Sequence, residues 1–219
     1  MTDTESWSPV VLWSKPEGER AGTPLLVLFH GYMSNEQDLM GLVDRLPAEF
    51  TVASVRAPMA VGPGFAWFPL SQDLRYPMDQ VISASMDVLA WLDGVREQHS
   101  SVSLLGFSMG MTMATNLLRH RPHDFAAVVG LSGFAIKDEG NPFFQDTELA
   151  ATKIPFFWGR DQADPVITAE KIEYTHSWIG KHTALTKVLY AGMMHSINAQ
   201  ELTHVAEFLT YSVLRSVRH

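Results

Sequence analysis

The chain has 219 residues, 46% of them hydrophobic and 18% charged, which is enough to bury one sizeable core, and no composition shift divides it into two domains. It contains no cysteine, so disulfides, thiolate metal sites and cysteine nucleophiles are excluded. A formal charge of −8, with no local block of Lys and Arg, argues against nucleic acid or an anionic membrane as a partner and favours a neutral small molecule.

Residues 1–8 are polar and acidic, and are expected to be a poorly ordered N-terminus, neither signal peptide nor anchor. No apolar run reaches the roughly 20 residues of a membrane helix, so no membrane insertion is expected and the default address is cytoplasmic. From there, short apolar runs bounded by Gly, Pro and Asp alternate with segments of helical period. Strands are expected at Val10 to Trp13, Leu25 to Phe29, Val52 to Val55, Val102 to Gly106, Ala127 to Leu131, Ile154 to Trp158 and Thr186 to Tyr190. Helices are expected at Glu36 to Leu46, Asp79 to Gln98, Met109 to Arg119, Thr168 to Ile179 and Asn198 to Leu214. This order predicts an α/β fold, a mostly parallel sheet with helices on both faces. Two long connections break the rhythm: Arg56 to Pro77, with Phe65, Trp67, Phe68 and Tyr76, and Gly133 to Lys153, with Phe134, Phe143 and Phe144. Long aromatic loops suit a binding pocket, and equally they can cover a sheet edge.

The most informative residues are Gly106-Phe107-Ser108-Met109-Gly110, a G-x-S-x-G placed where a strand turns into a helix. Such a pattern arises by chance in roughly one chain of this length in fifteen, so it needs partners. A serine hydroxyl is a poor nucleophile unless a base takes its proton and a third group fixes that base. Both follow in chain order: R-D-Q-A-D-P-V-I after one predicted strand, and A-G-M-M-H-S-I after the next, giving Ser108, an aspartate, then His195. Asp164 is preferred as the acid, because Pro165-Val166-Ile167 anchors its loop to the core. Asp161, beside Arg160 and able to pair with it, is the alternative, and Asp138 and Glu139 are remoter ones. The oxyanion that forms on attack needs two donors, expected from the backbone N–H groups of Met109 and Tyr32. His30, in F-H-G-Y, reads as structural support for the Tyr32 loop. Met33, Met109, Met193 and Met194 either wall the site or fill the core. No metal spacing is evident, since only His120 and His123 come near one and Pro122 interrupts them.

With these pieces assembled, the chain resembles the phospholipase/carboxylesterase family of small α/β-hydrolases, which includes bacterial carboxylesterases and acyl-protein thioesterases. The resemblance is carried by L-F-H-G-Y, N-E-Q-D-L, R-A-P with G-F-A-W-F, G-F-S-M-G, L-S-G-F, D-P-V-I and G-M-M-H-S, from about Leu25 to Ser196. It implies Ser108, Asp164 and His195 as the catalytic triad, Tyr32 and Met109 at the oxyanion hole, Trp67 beside the acyl or alcohol pocket, and no large lid. Many members have glutamine where this chain has Met109, and aspartate where it has Pro69; both departures bear on substrate preference.

The expected function is a cofactor-free serine carboxylesterase acting on small-molecule esters of short to medium acyl chain, as a monomer or homodimer. Met33, Phe65, Trp67, Phe134 and Met193 are its expected substrate-binding residues. A lysophospholipase, an acyl-protein thioesterase, a perhydrolase or C–C hydrolase, and a non-catalytic binding protein on the same fold are the alternatives.

Overall fold

In the computed structural model, residues 7–71, 74–138 and 140–215 are described. Residues 1–6, most of the expected N-terminal tail, lie outside that set, as does Glu139. Nine strands are formed by the described residues: β1 (Val11–Trp13), β2 (Leu25–Phe29), β3 (Thr51–Val55), β4 (Met59–Val61), β5 (Gly64–Ala66), β6 (Val102–Phe107), β7 (Ala127–Leu131), β8 (Pro155–Arg160) and β9 (Ala184–Leu189). Seven of them make one sheet in the order β1-β3-β2-β6-β7-β8-β9, parallel throughout except for β1 against β3. Every residue of β2, β3 and β7 is buried, which is why these runs carry no polar alternation.

The helices are α1 (Met78–Val95), α2 (Met109–His120), α3 (Asp146–Thr152), α4 (Ala169–His182) and α5 (Ala199–Leu209). Within β2, Leu25, Val27 and Phe29 belong to the core layer that holds α1, α2 and α4, whereas Leu26 and Leu28 belong to the layer that holds Val205 and Leu209 of α5. Two apolar layers thus sandwich one sheet, forming a single α/β-hydrolase-type domain.

Three segments depart from the expected elements. The span Glu36 to Leu46 forms a 3₁₀ helix over Leu39–Arg45 instead of an α-helix. Leu39 and Leu42 lie three apart, a spacing that both helix types satisfy over so short a run, and Pro47 stops it from lengthening. The connection Arg56 to Pro77 contains the β4–β5 hairpin, turned by Gly62-Pro63 with Gly62 at φ 53°. The connection Gly133 to Lys153 contains α3, too short for its period to stand out.

Candidate active site

The site forms where β2, β6 and β8 and the segment after β9 end on one edge of the sheet. At the end of β6 the chain reverses through Ser108, at φ 53° and ψ −118°, into α2. This conformation is rare for a residue with a side chain, and close packing on both sides holds it. A Cβ on Gly106 would lie 2.2 Å from the Gly110 carbonyl oxygen, and one on Gly110 would lie 1.8 Å from that of Phe29. Glycine is the residue both positions accept. The Ser108 N–H continues the sheet ladder to the Leu131 carbonyl at 2.9 Å.

Three side chains then line up. Ser108 Oγ is 3.0 Å from His195 Nε2, and His195 Nδ1 is 2.8 Å from Asp164 Oδ2. The second oxygen, Asp164 Oδ1, accepts the N–H groups of Val166 at 2.8 Å and Ile167 at 3.3 Å, so the buried carboxylate is fixed in rotation. The expected pairing of Asp161 with Arg160 does not form. Asp161 accepts Ala163 N–H at 2.9 Å and Met194 N–H at 2.7 Å, and these amides hold its carboxyl below the usual range. It therefore clamps the residue preceding His195. Asp138 accepts from Asn141 Nδ2, and the carboxylate bonded to the imidazole is that of Asp164.

The loop after β2 leans on Ser108: a Cβ on Gly31 would sit 3.5 Å from Ser108 Cβ. Fully buried His30 organises this loop. Its Nε2 faces the Ala57 N–H at 3.1 Å and must accept, so Nδ1 carries the proton and donates to the Gly31 carbonyl at 2.8 Å. Burial lowers the His30 pKa, which keeps this neutral form. The Met33 N–H donates to the Phe65 carbonyl and the Phe65 N–H to that of Ser34, fastening the loop to the hairpin. Arg56 grips Glu36 through two hydrogen bonds, Nε to Oε2 at 2.6 Å among them, and lies 4.7 Å over the Phe65 ring. The Tyr32 and Met109 amides make no hydrogen bond to another described residue.

Of the residues expected to bind substrate, Met33 stays exposed and Phe65 half-buried, and Met194 of the histidine loop is exposed as well. Trp67, Phe134 and Met193 are corrected. Trp67 is 1% exposed; its indole N–H donates to the His30 carbonyl at 2.9 Å, and its ring meets Phe29 edge-on at 5.2 Å. It anchors the loop from beneath and does not line a wall. Phe134 is buried against Tyr76 and the Lys171 ammonium, and Met193 is buried on the α5 side of the sheet. The Met109 side chain also enters the core. Phe143 stacks on His120, and Phe144 lies under Arg119. These partners close α2 about eleven residues from Ser108, roughly 16 Å along the helix axis.

Sequence reasoning missed the clamp by Asp161, the Glu36–Arg56 brace and Ser132, whose Oγ donates to the Ser196 carbonyl at 3.1 Å. Only Ser132 carried a signal, being the residue that follows β7 in L-S-G-F. Among the described residues, no group of three or more His, Asp or Glu is arranged to hold a metal, and no helix is long and apolar enough to cross a membrane.

A family model described as phospholipase/carboxylesterase matches residues 16–213. The chain belongs to this family. As a phospholipase/carboxylesterase family protein it shares a hydrolase scaffold with solved structures of low identity. A Bacillus cereus carboxylesterase superposes with a TM-score of 0.77 at 17% identity, covering 93% of this chain and 94% of that one. Zea mays acyl-protein thioesterase 2 gives 0.74 at 20% identity, covering 94% and 99%. No curated protein matches. At such identities the likeness carries the fold; which substrate this family member takes must come from its own residues.

Proposed function

We propose that this protein is a serine carboxylesterase working through an acyl-enzyme on small esters of short to medium acyl chain. The observation that carries this reading is the unbroken line of Ser108 Oγ, His195 and Asp164, with spacings of 3.0 and 2.8 Å. Ser108 Oγ attacks the ester carbonyl as its proton passes to His195 Nε2, and Asp164 orients the imidazole and stabilises its cation. The amides of Tyr32 and Met109 receive the tetrahedral oxyanion, the second with the positive end of α2 behind it. His195 then protonates the departing alkoxide, the C–O bond to it breaks, and the acyl group stays on Oγ. Water attacks in turn, giving its proton to His195, and the carboxylic acid leaves as Oγ recovers the proton. Exposed Met33 and Met194 adjoin Tyr32 and His195 in the chain, and half-buried Phe65 is hydrogen-bonded to the Met33 loop; these apolar side chains support a small acyl group.

The test is kcat/KM across p-nitrophenyl esters from acetate to palmitate, with Ser108→Ala as the blank. A serine-dependent optimum at short chains supports the reading. An optimum at long chains moves lysophospholipase or acyl-protein thioesterase activity to first place, and turnover that survives Ser108→Ala refutes the mechanism.

A further inference from the structure

Glu201 is the third residue of α5, whose N-cap is Asn198; the Asn198 side-chain oxygen accepts the Glu201 N–H at 2.8 Å. A glutamate at this position ordinarily reaches back to the N-cap amide at the surface. Here the side chain turns inward instead: Glu201 is 0% exposed, and neither carboxyl oxygen has a hydrogen-bond partner among the described residues. It fills the space above Gly159 of β8, where a Cβ would lie 2.0 Å from Oε1.

The ionisable groups around it offer no neutralising charge. Two residues beyond Gly159 in the chain, Asp161 is also an acid, with its oxygens engaged by the Ala163 and Met194 amides. From the end of β9 comes Tyr190, whose phenol is bonded to His204 of α5 and raised by burial and by Glu201. No Lys, Arg or His among the described residues forms an ion pair with Glu201. The positive end of α5 favours a carboxylate, but the side chain is fully buried, and loss of solvation outweighs it. Burial accordingly raises the Glu201 pKa to about 8.

This carboxyl is linked to the histidine loop. Gly159, against which it packs, accepts the Ser132 N–H at 2.9 Å, and Ser132 Oγ holds the carbonyl of Ser196, next to His195. Asn198, which caps the Glu201 amide, closes the same loop. We infer that Glu201 is a positioning residue for His195, which in its neutral form wedges α5 against Gly159 and on ionising loosens the loop from Tyr190 to Asn198. An ionised Glu201 must draw in water, and space for water opens only if α5 withdraws from β8.

The inference rests on the proposed serine mechanism for its activity readout, so the experiment has two arms. In the first, kcat and KM on p-nitrophenyl butyrate are measured from pH 5 to 10 for the wild type and Glu201→Gln, with Ser108→Ala as the blank. The wild type should lose kcat about tenfold per pH unit above 8, with KM little changed, while Glu201→Gln holds its plateau. An unchanged alkaline fall in Glu201→Gln, or a wild type flat to pH 10, overturns the inference. In the second, hydrogen–deuterium exchange of the wild type alone is compared at pH 7 and 9, after correction for intrinsic rates. Protection lost selectively over residues 190–202 supports the inference even where the variant does not fold or no ester is turned over, and equal protection at both pH values overturns it. Absence of serine-dependent turnover with a positive exchange result sinks the proposed function and leaves the Glu201 wedge standing.

Discussion

Replacing Trp67 by Phe separates two roles for an aromatic residue beneath the loop from His30 to Tyr32. The indole N–H is bonded to the His30 carbonyl at 2.9 Å, and the ring is 1% exposed. Phe removes that donor and strands a buried acceptor, a cost of about 1–3 kcal/mol. The smaller ring leaves a cavity worth about 1 kcal/mol more. The expected loss is about 2–4 kcal/mol, within the roughly 5–15 kcal/mol stability of a domain, so the variant still folds. In a chain of this size it should melt roughly 4–16 °C lower. Because the freed carbonyl is two residues before Tyr32, kcat should fall between about 10- and 1000-fold, short of or equal to the loss of one oxyanion donor. Urea denaturation and kcat/KM over the p-nitrophenyl series measure both effects. An anchor predicts the same factional loss at every acyl length, whereas a pocket wall predicts a shifted optimum. A shifted optimum at unchanged stability would refute the anchoring role.

Other substitutions test the remaining parts. Ser108→Gly should abolish turnover and raise stability by about 1–2 kcal/mol in thermal unfolding, since glycine relieves the strained φ of 53°; a destabilised variant would contradict strain at the turn. Asp164→Asn should cost about 10⁴-fold in kcat by disrupting the His195 tautomer. Asp161→Asn should cost only about 10–100-fold, since it loosens the Met194 amide without touching the imidazole, and equal losses would contradict this division of labour. Two groups take stability away on acidification, each read from urea midpoints against a variant lacking it, because Glu201, raised by burial to about 8, stabilises the fold as pH falls from there and opposes them. His30 is held below 6.5 by burial, so the unfolded chain takes up a proton first as pH drops past 6.5 and the His30 contribution declines. Glu36 is held below 4.5 by Arg56, and its contribution, complete above that value, is lost beneath it; Glu36→Gln should flatten this lower stage alone.

The features legible in the sequence were those with a strong local cause. Ser108 announces itself because Gly106 and Gly110 are required by backbone approach, and the two loops after β8 and β9 contain few residues able to serve as acid and base. Strands β2 and β7 were visible as unbroken apolar runs, and the others of the sheet as mainly apolar ones. What stayed hidden depends on where side chains turn in three dimensions. Trp67 has the same composition signal whether it faces substrate or a backbone carbonyl. Asp161 beside Arg160 suggested an ion pair, yet Arg160 Nη2 is buried without a partner, and the carboxylate prefers two amides. Glu201, in N-A-Q-E, reads as a surface capping residue, and nothing local reveals that the glycine opposite it, Gly159, leaves room for its carboxyl.

Strain and hydrogen bonding meet at this edge of the sheet in a regular way. Six described residues other than glycine have positive φ, and four of them, Met33, Ser108, Ser132 and Met194, belong to the loops that meet at the serine. Each costs free energy that its own amide helps offset. The N–H of Met33 goes to the Phe65 carbonyl, that of Ser108 to Leu131, that of Ser132 to Gly159 and that of Met194 to the Asp161 carboxylate, all between 2.7 and 2.9 Å. The Ser108 and Ser132 bonds extend the β6–β7 and β7–β8 ladders one step past the strand ends, so the sheet itself holds the turns. Met194 lies beyond β9, where no such ladder reaches it, and a side chain substitutes for one. That is why R-D-Q-A-D carries two aspartates: the first, Asp161, fastens the histidine loop to the sheet edge, and only then is Asp164 opposite Nδ1 and Ser108 opposite Nε2.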